Sequence, residues 1–325
     1  MLAVAEHLDT VNLPHDRGVI EGILDRAERS FTGELPAADR EFVFVLEDLE
    51  QKRIIGTSMI YAQHGTKRAP HIFFRVENDE RYSVTLDRYF VHQTLRIGYN
   101  YNGPTEIGGL ILLPEYRRNA HALGKALSYV RFLFIRMHRP LFRDYVLSEL
   151  LPPLEPDGTS MLWAALGEKF TGLTYQEADR LSKDNKEFIH ALFPDDPIHT
   201  ELLPEAVRAL IGQVGEETRA VEKMLRRIGF DYAEQIDPFD GGPHFVAKTD
   251  DISIVRQAAE VAVRSGATGE GRAWAIIAVE TPGQPQFRAL GARVTQIEPG
   301  VVGLADDARR VLGIEDGQKV WLSYG

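Results

Sequence analysis

The sequence predicts an α/β (α+β) fold: a sheet flanked by helices, followed by a small, mostly β subdomain. Three observations carry that expectation. Apolar runs of strand length, rich in β-branched and aromatic residues, crowd residues 42–113. From Ala122 the apolar residues instead fall at Leu123, Leu127, Val130, Phe134 and Met137, the spacing of one helix face. After the Gly-rich stretch Gly266–Gly271 an alternating pattern returns. A chain of 325 residues suits about two domains, and the change of pattern places them at 1–250 and 251–325.

The elements follow in chain order. Ile20, Ile23, Leu24 and Ala27 make Val19–Phe31 a helix, ended by Gly33-Glu-Leu-Pro36. Phe42–Leu46 and Ile54–Ala62 read as strands around a polar turn. Ile72–Val76, Phe90–Ile97 and Thr105–Leu113 continue an antiparallel meander. The helix from Ala122 stops before Pro140, which cannot continue one. Tyr145–Leu150 is a strand. Met161–Phe170, Tyr175–Lys183, Glu205–Val214 and Glu216–Ile228 read as helices, and Phe230–Ile236 and His244–Lys248 as strands. A helix is expected over Ile254–Ser265. Strands at Ala273–Val279, Arg288–Ile297 and Lys319–Tyr324 complete the tail.

Composition removes several classes of function. There is no cysteine, so disulfides, thiolate metal sites and cysteine nucleophiles are excluded. No apolar run reaches the roughly 18 residues of a membrane span, and Met1–Thr10 lacks the basic start of a secretory signal. A cytoplasmic protein is expected. With 37 basic and 48 acidic residues the net charge is −11, the wrong sign for a nucleic-acid binder. Yet Arg117–Arg143 holds seven Lys or Arg and no acid, which leaves −18 for the rest. Such a patch suits a small anionic ligand; the plain alternative is a solvated helix face.

Familiar motifs fail one by one. Gly124-Lys125 lacks the earlier glycine and the following Ser or Thr of a P-loop. His199-Thr-Glu201 has the His-x-Glu form of zinc deaminases without the cysteines. No two histidines sit at ligand spacing on a helix, so no metal site is expected and the ten histidines read as surface or capping residues. The informative segment is Thr105–Arg139: a strand, an Arg-rich loop of small residues, then a helix. A helix start offers unpaired N–H groups to phosphates, and Arg117, Arg118 and Lys125 would add charge-assisted bonds.

That order of strand, loop and helix resembles the acyl-CoA-binding core of the GNAT acetyltransferase superfamily. Ala220–Phe230 resembles the same superfamily's last helix and the Gly-Phe that enters its final hairpin. More closely, the chain resembles the bacterial arginine N-succinyltransferase family. The matching stretches are Thr32-Gly-Glu-Leu-Pro36, Val43-Phe-Val-Leu-Glu-Asp48, Glu106-Ile-Gly-Gly-Leu110, Leu113-Pro-Glu-Tyr-Arg117, Arg131-Phe132, Pro197-Ile198, Ile211-Gly-Gln-Val214 and Phe239-Asp-Gly-Gly-Pro243. The resemblance implies an acetyltransferase-like mixed central sheet. It also implies succinyl transfer from succinyl-CoA to the α-amino group of arginine, in arginine catabolism. Succinyl-CoA would be a co-substrate, with no permanently bound cofactor.

Four departures stand out. The family's first strand has no counterpart ahead of the first helix. The loop before Gly124 is two residues longer, with Ala122 at a glycine position. An arginine shortly after the residue matching Glu149 is replaced within Glu149-Leu-Leu151. The family's proton-donating histidine after Gly-Gln-Val is Gly215 here. The resemblance offers Glu149 and His199 as catalytic candidates, and Leu110, Arg117, Arg118, Gly124 and Lys125 for the acyl-CoA. Glu216 and His244 are weaker stand-ins for the missing histidine. Asp240 and Glu106 are candidates for the guanidinium. The competing readings are a non-catalytic CoA-binding subunit that pairs with an intact paralogue, and an acyltransferase with another amine or donor. A small amine substrate and an oligomer, with itself or with the paralogue, are the expected partners; nucleic acid and membrane are not.

Overall fold

The computed structural model describes residues 16–67, 69–182, 185–266 and 273–325. The start Met1–Thr10 and most of the Gly-rich stretch 266–271 therefore lie outside the described residues. The chain has the expected mixed α/β make-up, with helices, a large sheet and a small C-terminal barrel. It divides into two compact units. The first takes residues 1–62, 105–144 and 248–325, and the second takes 63–104 and 145–247.

In the first unit, α1 (Arg17–Phe31) is capped by Asp16, whose side chain accepts from the Val19 N–H. It buries Ile20, Ile23 and Ala27. Strands β1 (Glu41–Asp48) and β2 (Arg53–Tyr61) pair antiparallel. In the second unit a long hairpin pairs β3 (His71–Ser83) with β4 (Arg88–Asn100) in unbroken register. Both strands outrun the sequence expectation. Their outer halves mix polar residues with the exposed Tyr82, Tyr89, Phe90 and Val91, so no buried face is written there; ladder hydrogen bonds and the Tyr82–Tyr89 ring contact at 4.6 Å hold them.

The first unit resumes with β5 (Thr105–Leu112), antiparallel to β2, and α2 (Leu123–Met137). Every residue of α2 from Ala126 to Ile135 is buried, so it is a core helix and not the one-faced helix its spacing suggested. Phe31, Phe42, Phe44 and Phe287 pack edge-on or tilted around Phe134 at 4.8–5.5 Å between ring centres.

The second unit then adds β6 (Tyr145–Glu149), the π-turn Trp163–Gly167, α3 (Tyr175–Ser182), α4 (Glu187–Leu192), β7 (Ile198–His199), α5 (Glu205–Leu210), α6 (Arg219–Ile228), β8 (Asp231–Ile236) and β9 (Pro243–Lys248). Its strand order is β6-β9-β8-β3-β4-β7. Trp163 lies flat on Phe239, 4.9 Å away, and its indole N–H donates to the Leu173 carbonyl at 2.8 Å. A Cβ on Gly167 would stand 2.3 Å from that ring, so only glycine fits there. α5 and α6 are shorter than expected. Gly212 turns the backbone at φ +72° after α5, and the Gly215 N–H is bonded to the Leu151 carbonyl.

The C-terminal stretch corrects one expectation. Only α7 (Ser253–Gln257) of the predicted helix Ile254–Ser265 is helical, and β10 (Ala259–Ser265) is a strand. Val261 and Val263 share one face of the strand, and β10 pairs with both β13 (Val301–Leu304) and β14 (Lys319–Tyr324). That tertiary pairing overrides a short helical spacing. With β11 (Ala273–Glu280) and β12 (Phe287–Glu298) the strands close into a barrel, β10-β13-β12-β11-β14. Helix α8 (Asp306–Leu312) and β13 were absent from the sequence reading. Val263, Ile277, Val294, Leu304 and Leu322 fill the barrel.

Candidate functional site

In the first unit the β5–α2 connection has the expected form. Gly109 sits at φ +54°, and a Cβ there would lie 2.6 Å from Met59 Sδ. The β2–β5 register slips at this point, a bulge that redirects the backbone just before Leu110. Arg131, buried beneath it, donates to the Gly108 carbonyl at 3.3 Å and to Ser128 Oγ at 2.9 Å. Beyond β5, Arg117 and Arg118 are exposed. Arg117 Nε donates to the Leu112 carbonyl at 2.9 Å, and Arg118 adopts φ +56°. Ala122, also left-handed, precedes α2 with no side-chain cap. Gly124 lies in the first helical turn. Lys125 is drawn away from it: its Nζ stands 4.1 Å from the centre of the Trp274 ring.

The basic run therefore does not act as one patch. Arg131 is buried, Lys125 covers an aromatic ring, and Arg139 is paired with Asp144 and Asp250 at 2.9 and 2.8 Å. An apolar cavity of about 690 Å3 adjoins the loop at His121 and Leu123 and runs along Phe44, Leu127 and Leu290.

The second unit gathers a different set. Phe74 of β3 faces Ile236 of β8, and Ile236 faces Pro243 of β9. The Leu150 N–H, just past β6, donates to the Pro243 carbonyl at 3.1 Å. Near this row the chain delivers polar side chains: Asp237, His244 and Glu149 directly beside it, and His71 at the start of β3. His71 Nε2 lies 3.3 Å from Glu149 Oε1, His244 Nε2 lies 3.5 Å from it, and His64 Nε2 lies 3.9 Å from it. The His244 side chain is fully buried and that of His71 nearly so, while Glu149 and His64 are 28% and 23% exposed. The cluster thus opens on the Glu149 side.

Burial pushes the Glu149 carboxyl up, but His244, His71 and His64 outweigh it and hold it well below the usual carboxylate range. Burial pushes His244 down to about 4, so its imidazole is neutral at pH 7. Asp237 is pushed up to about 7, first by burial and then by the Glu149 charge. Asp240 rises for the same first reason, with Asp237 next. Its Oδ1 accepts from the Gly242 N–H at 2.7 Å, so Asp240 serves the turn between β8 and β9.

Of the catalytic candidates, the structure keeps Glu149 at a strand end and sets His199 elsewhere. His199 is on β7, the far edge of the order from β6, 3.9 Å from Glu201. His244 is not the surface or capping residue expected of it. Glu216 is exposed ahead of α6, and Gly215 is packed against the backbone of Leu151 and Pro152. Sequence spacing missed His64 and His71. The helical ligand pattern has no counterpart for histidines that meet from a loop and two strands.

Residues 1–254 match the family model of the arginine N-succinyltransferase beta subunit. The chain belongs to the arginine N-succinyltransferase family. It is 31% identical over 280 residues to arginine N-succinyltransferase of Enterobacter sp. (strain 638), covering 86% of this chain and 80% of that protein. It is 34% identical over 250 residues to the Yersinia pestis (strain Pestoides F) protein of the same name, covering 77% and 71%. Among solved structures, arginine/ornithine succinyltransferase subunit AI from Pseudomonas aeruginosa superposes with a TM-score of 0.83 at 27% identity, over 99% of this chain and 94% of that one. Members of this family are transferases, and the fold is theirs.

Proposed function

We propose that this chain transfers the succinyl group of succinyl-CoA to the α-amino group of arginine, in the cytoplasm and as part of arginine breakdown. The observation that carries this reading is the anionic Glu149 carboxylate at the open end of β6, in a chain of this family. Arginine arrives with an α-ammonium whose ordinary pKa is about 8. Glu149 binds that ammonium and relays one of its protons to water, since a carboxylate held so low does not keep it. The free amine then attacks the thioester carbonyl carbon, and negative charge collects on the carbonyl oxygen. Main-chain N–H groups are the kind of donor that stabilises such an oxygen, and in the first unit the bulge at Leu110 is assigned to the acyl-CoA.

Collapse breaks the C–S bond and releases the CoA thiolate, and the second proton on the attacking nitrogen leaves to the departing sulfur or to water, which gives the neutral amide. A thiol with a reference pKa of about 8.5 leaves without much help, so a glycine at position 215 does not forbid turnover. Arg117 and Arg118, with the N–H groups that begin α2, are assigned to the pyrophosphate; Gly124 lets it approach. Lys125 contributes only by leaving Trp274. His199 does not enter this scheme, because β7 carries it away from Glu149. An oligomer, of this chain alone or with a paralogue, belongs to the same proposal and is measured by light scattering.

The test is thiol release from succinyl-CoA and from acetyl-CoA, each with arginine, ornithine and lysine. Release that needs both succinyl-CoA and arginine supports the reading. Equal release with acetyl-CoA, or none with arginine, overturns it.

A further inference from the structure

The cluster around Glu149 contains more donor atoms than proton transfer requires. Neither ring nitrogen of His71 and neither of His244 forms a hydrogen bond within the described residues, although both rings are buried. Leaving a buried polar atom unpaired costs about 1–3 kcal/mol; the two Nε2 atoms face the Glu149 carboxylate at 3.3 and 3.5 Å without the geometry of a hydrogen bond. A neutral imidazole carries one lone pair in the ring plane. A cation beside the carboxylate would give the buried His71 Nε2 lone pair a partner.

The distances fit one. His64, His71 and Glu149 each offer a ligand atom, and the three atoms lie within 4.8 Å of one another. A zinc ion takes imidazole nitrogen and carboxylate oxygen at about 2.0–2.2 Å in a tetrahedron, which sets ligand atoms roughly 3.3–3.5 Å apart. The His71–Glu149 separation is already 3.3 Å and the His64–Glu149 separation 3.9 Å. Small side-chain movements would close the set. Glu149 also shares a second group of this kind with Asp237 and His244.

We propose that His64 Nε2, His71 Nε2 and the Glu149 carboxylate bind one divalent transition-metal ion of the zinc class. His244 and Asp237 flank the same carboxylate, with His244 Nε2 3.5 Å from it. Two imidazoles and one carboxylate leave a fourth position, on the side where Glu149 and His64 are exposed. The nitrogen ligands select against magnesium and calcium, which prefer all-oxygen sites. Under the transferase reading, ion and substrate ammonium compete for one carboxylate; the binding itself is independent of that reading.

The experiment is calorimetric titration of the chelator-stripped full chain with Zn2+, beside Mg2+ and beside Co2+ followed by its visible absorption. One Zn2+ per chain, a Co2+ band typical of low coordination, and no Mg2+ binding are expected. His64→Ala and Glu149→Gln should each weaken Zn2+ by more than roughly tenfold, the scale reached by supporting residues alone. His64 is partly exposed, so its variant tests the site without emptying the core, and circular dichroism confirms the fold. His92 and His199 flank Glu201 in a separate surface group. Zn2+ binding lost in His92→Ala and kept in His64→Ala would overturn the proposal, as would no binding to the wild type.

Discussion

The β5–α2 loop of the first unit and the β6 end of the second handle charge in opposite ways. Arg117 and Arg118 stand in water, and Arg117 is anchored by one bond to a carbonyl. Glu149 is instead surrounded by imidazoles that burial has already stripped of water. Exposed charges attract an anion from a distance but are screened by salt. A half-buried carboxylate among buried imidazoles is less screened and already oriented. The loop should therefore govern how tightly an acyl-CoA binds, and the cluster how fast anything reacts.

The largest expected effect tests that division at the cluster. Glu149→Gln keeps the shape and removes the proton acceptor. A general base contributes roughly 10²–10⁴ in rate, so kcat for arginine succinylation should fall by about that factor. The KM for succinyl-CoA should hardly move. Steady-state kinetics decide it, and a variant with unchanged kcat would end the role given to Glu149.

The loop should show the reverse pattern. Arg117→Ala with Arg118→Ala removes two cations that can each make a charged hydrogen bond, worth about 1.5–3 kcal/mol when fully formed. Exposure reduces that figure, so roughly a ten- to hundredfold loss of succinyl-CoA affinity is expected. Added salt should weaken the wild type more than the double variant. Calorimetry at two salt concentrations measures both, and an equal salt response would remove these arginines from the site.

Much of this was readable from the sequence, for physical reasons that differ by region. The β5–α2 segment obeys local rules: Gly109 must be glycine to turn past Met59, and the apolar spacing of α2 is written in its own residues. Glu149 was found because the matching motif carries it. The histidines around it were not, since His64 and His71 sit in one short stretch with no helical spacing and His244 comes from far along the chain. The barrel shows the same limit. Residues 259–265 have a locally ambiguous pattern that pairing with β13 and β14 resolves. Charge counting failed in the other direction, by treating Arg131 and Arg139 as free when one is buried and the other paired.

Gly215 sharpens the contrast further. By family logic, a histidine restored there should speed the reaction. The structure argues otherwise. A Cβ at 215 would stand 2.8 Å from the Pro152 carbonyl oxygen and 2.9 Å from that of Leu151. Both are backbone atoms, and Gly215 itself donates to the Leu151 carbonyl at 2.8 Å. Forcing a side chain into such packing costs about 1–3 kcal/mol. Gly215→His should lower the melting temperature without raising kcat, and Gly215→Ala should lose similar stability. A faster enzyme at unchanged stability would show that the strand end yields easily.

The smallest effect concerns a buried carboxylate in the first unit, as a counterpart to Glu149. Glu41 is 5% exposed, its Oε2 accepts from Arg26 at 3.1 Å, and its Oε1 is buried with no hydrogen bond. Burial pushes its carboxyl up, and the Arg26 guanidinium only partly opposes this. The Glu106 charge pushes it the same way as burial, where histidines pull Glu149 down. A raised folded-state value favours the protonated form. The stabilisation it brings is complete below the unfolded value of about 4.3 and is lost as pH rises through the higher folded one. Glu41→Gln cannot ionise and so escapes that loss, while giving up a partly exposed ion pair worth at most about 1 kcal/mol. The melting temperature of the variant relative to wild type should therefore be higher at pH 7 than at pH 4, by a few degrees at most. Melting curves at the two pH values give the answer, and a difference of the opposite sign would mean that Arg26 holds Glu41 ionised after all.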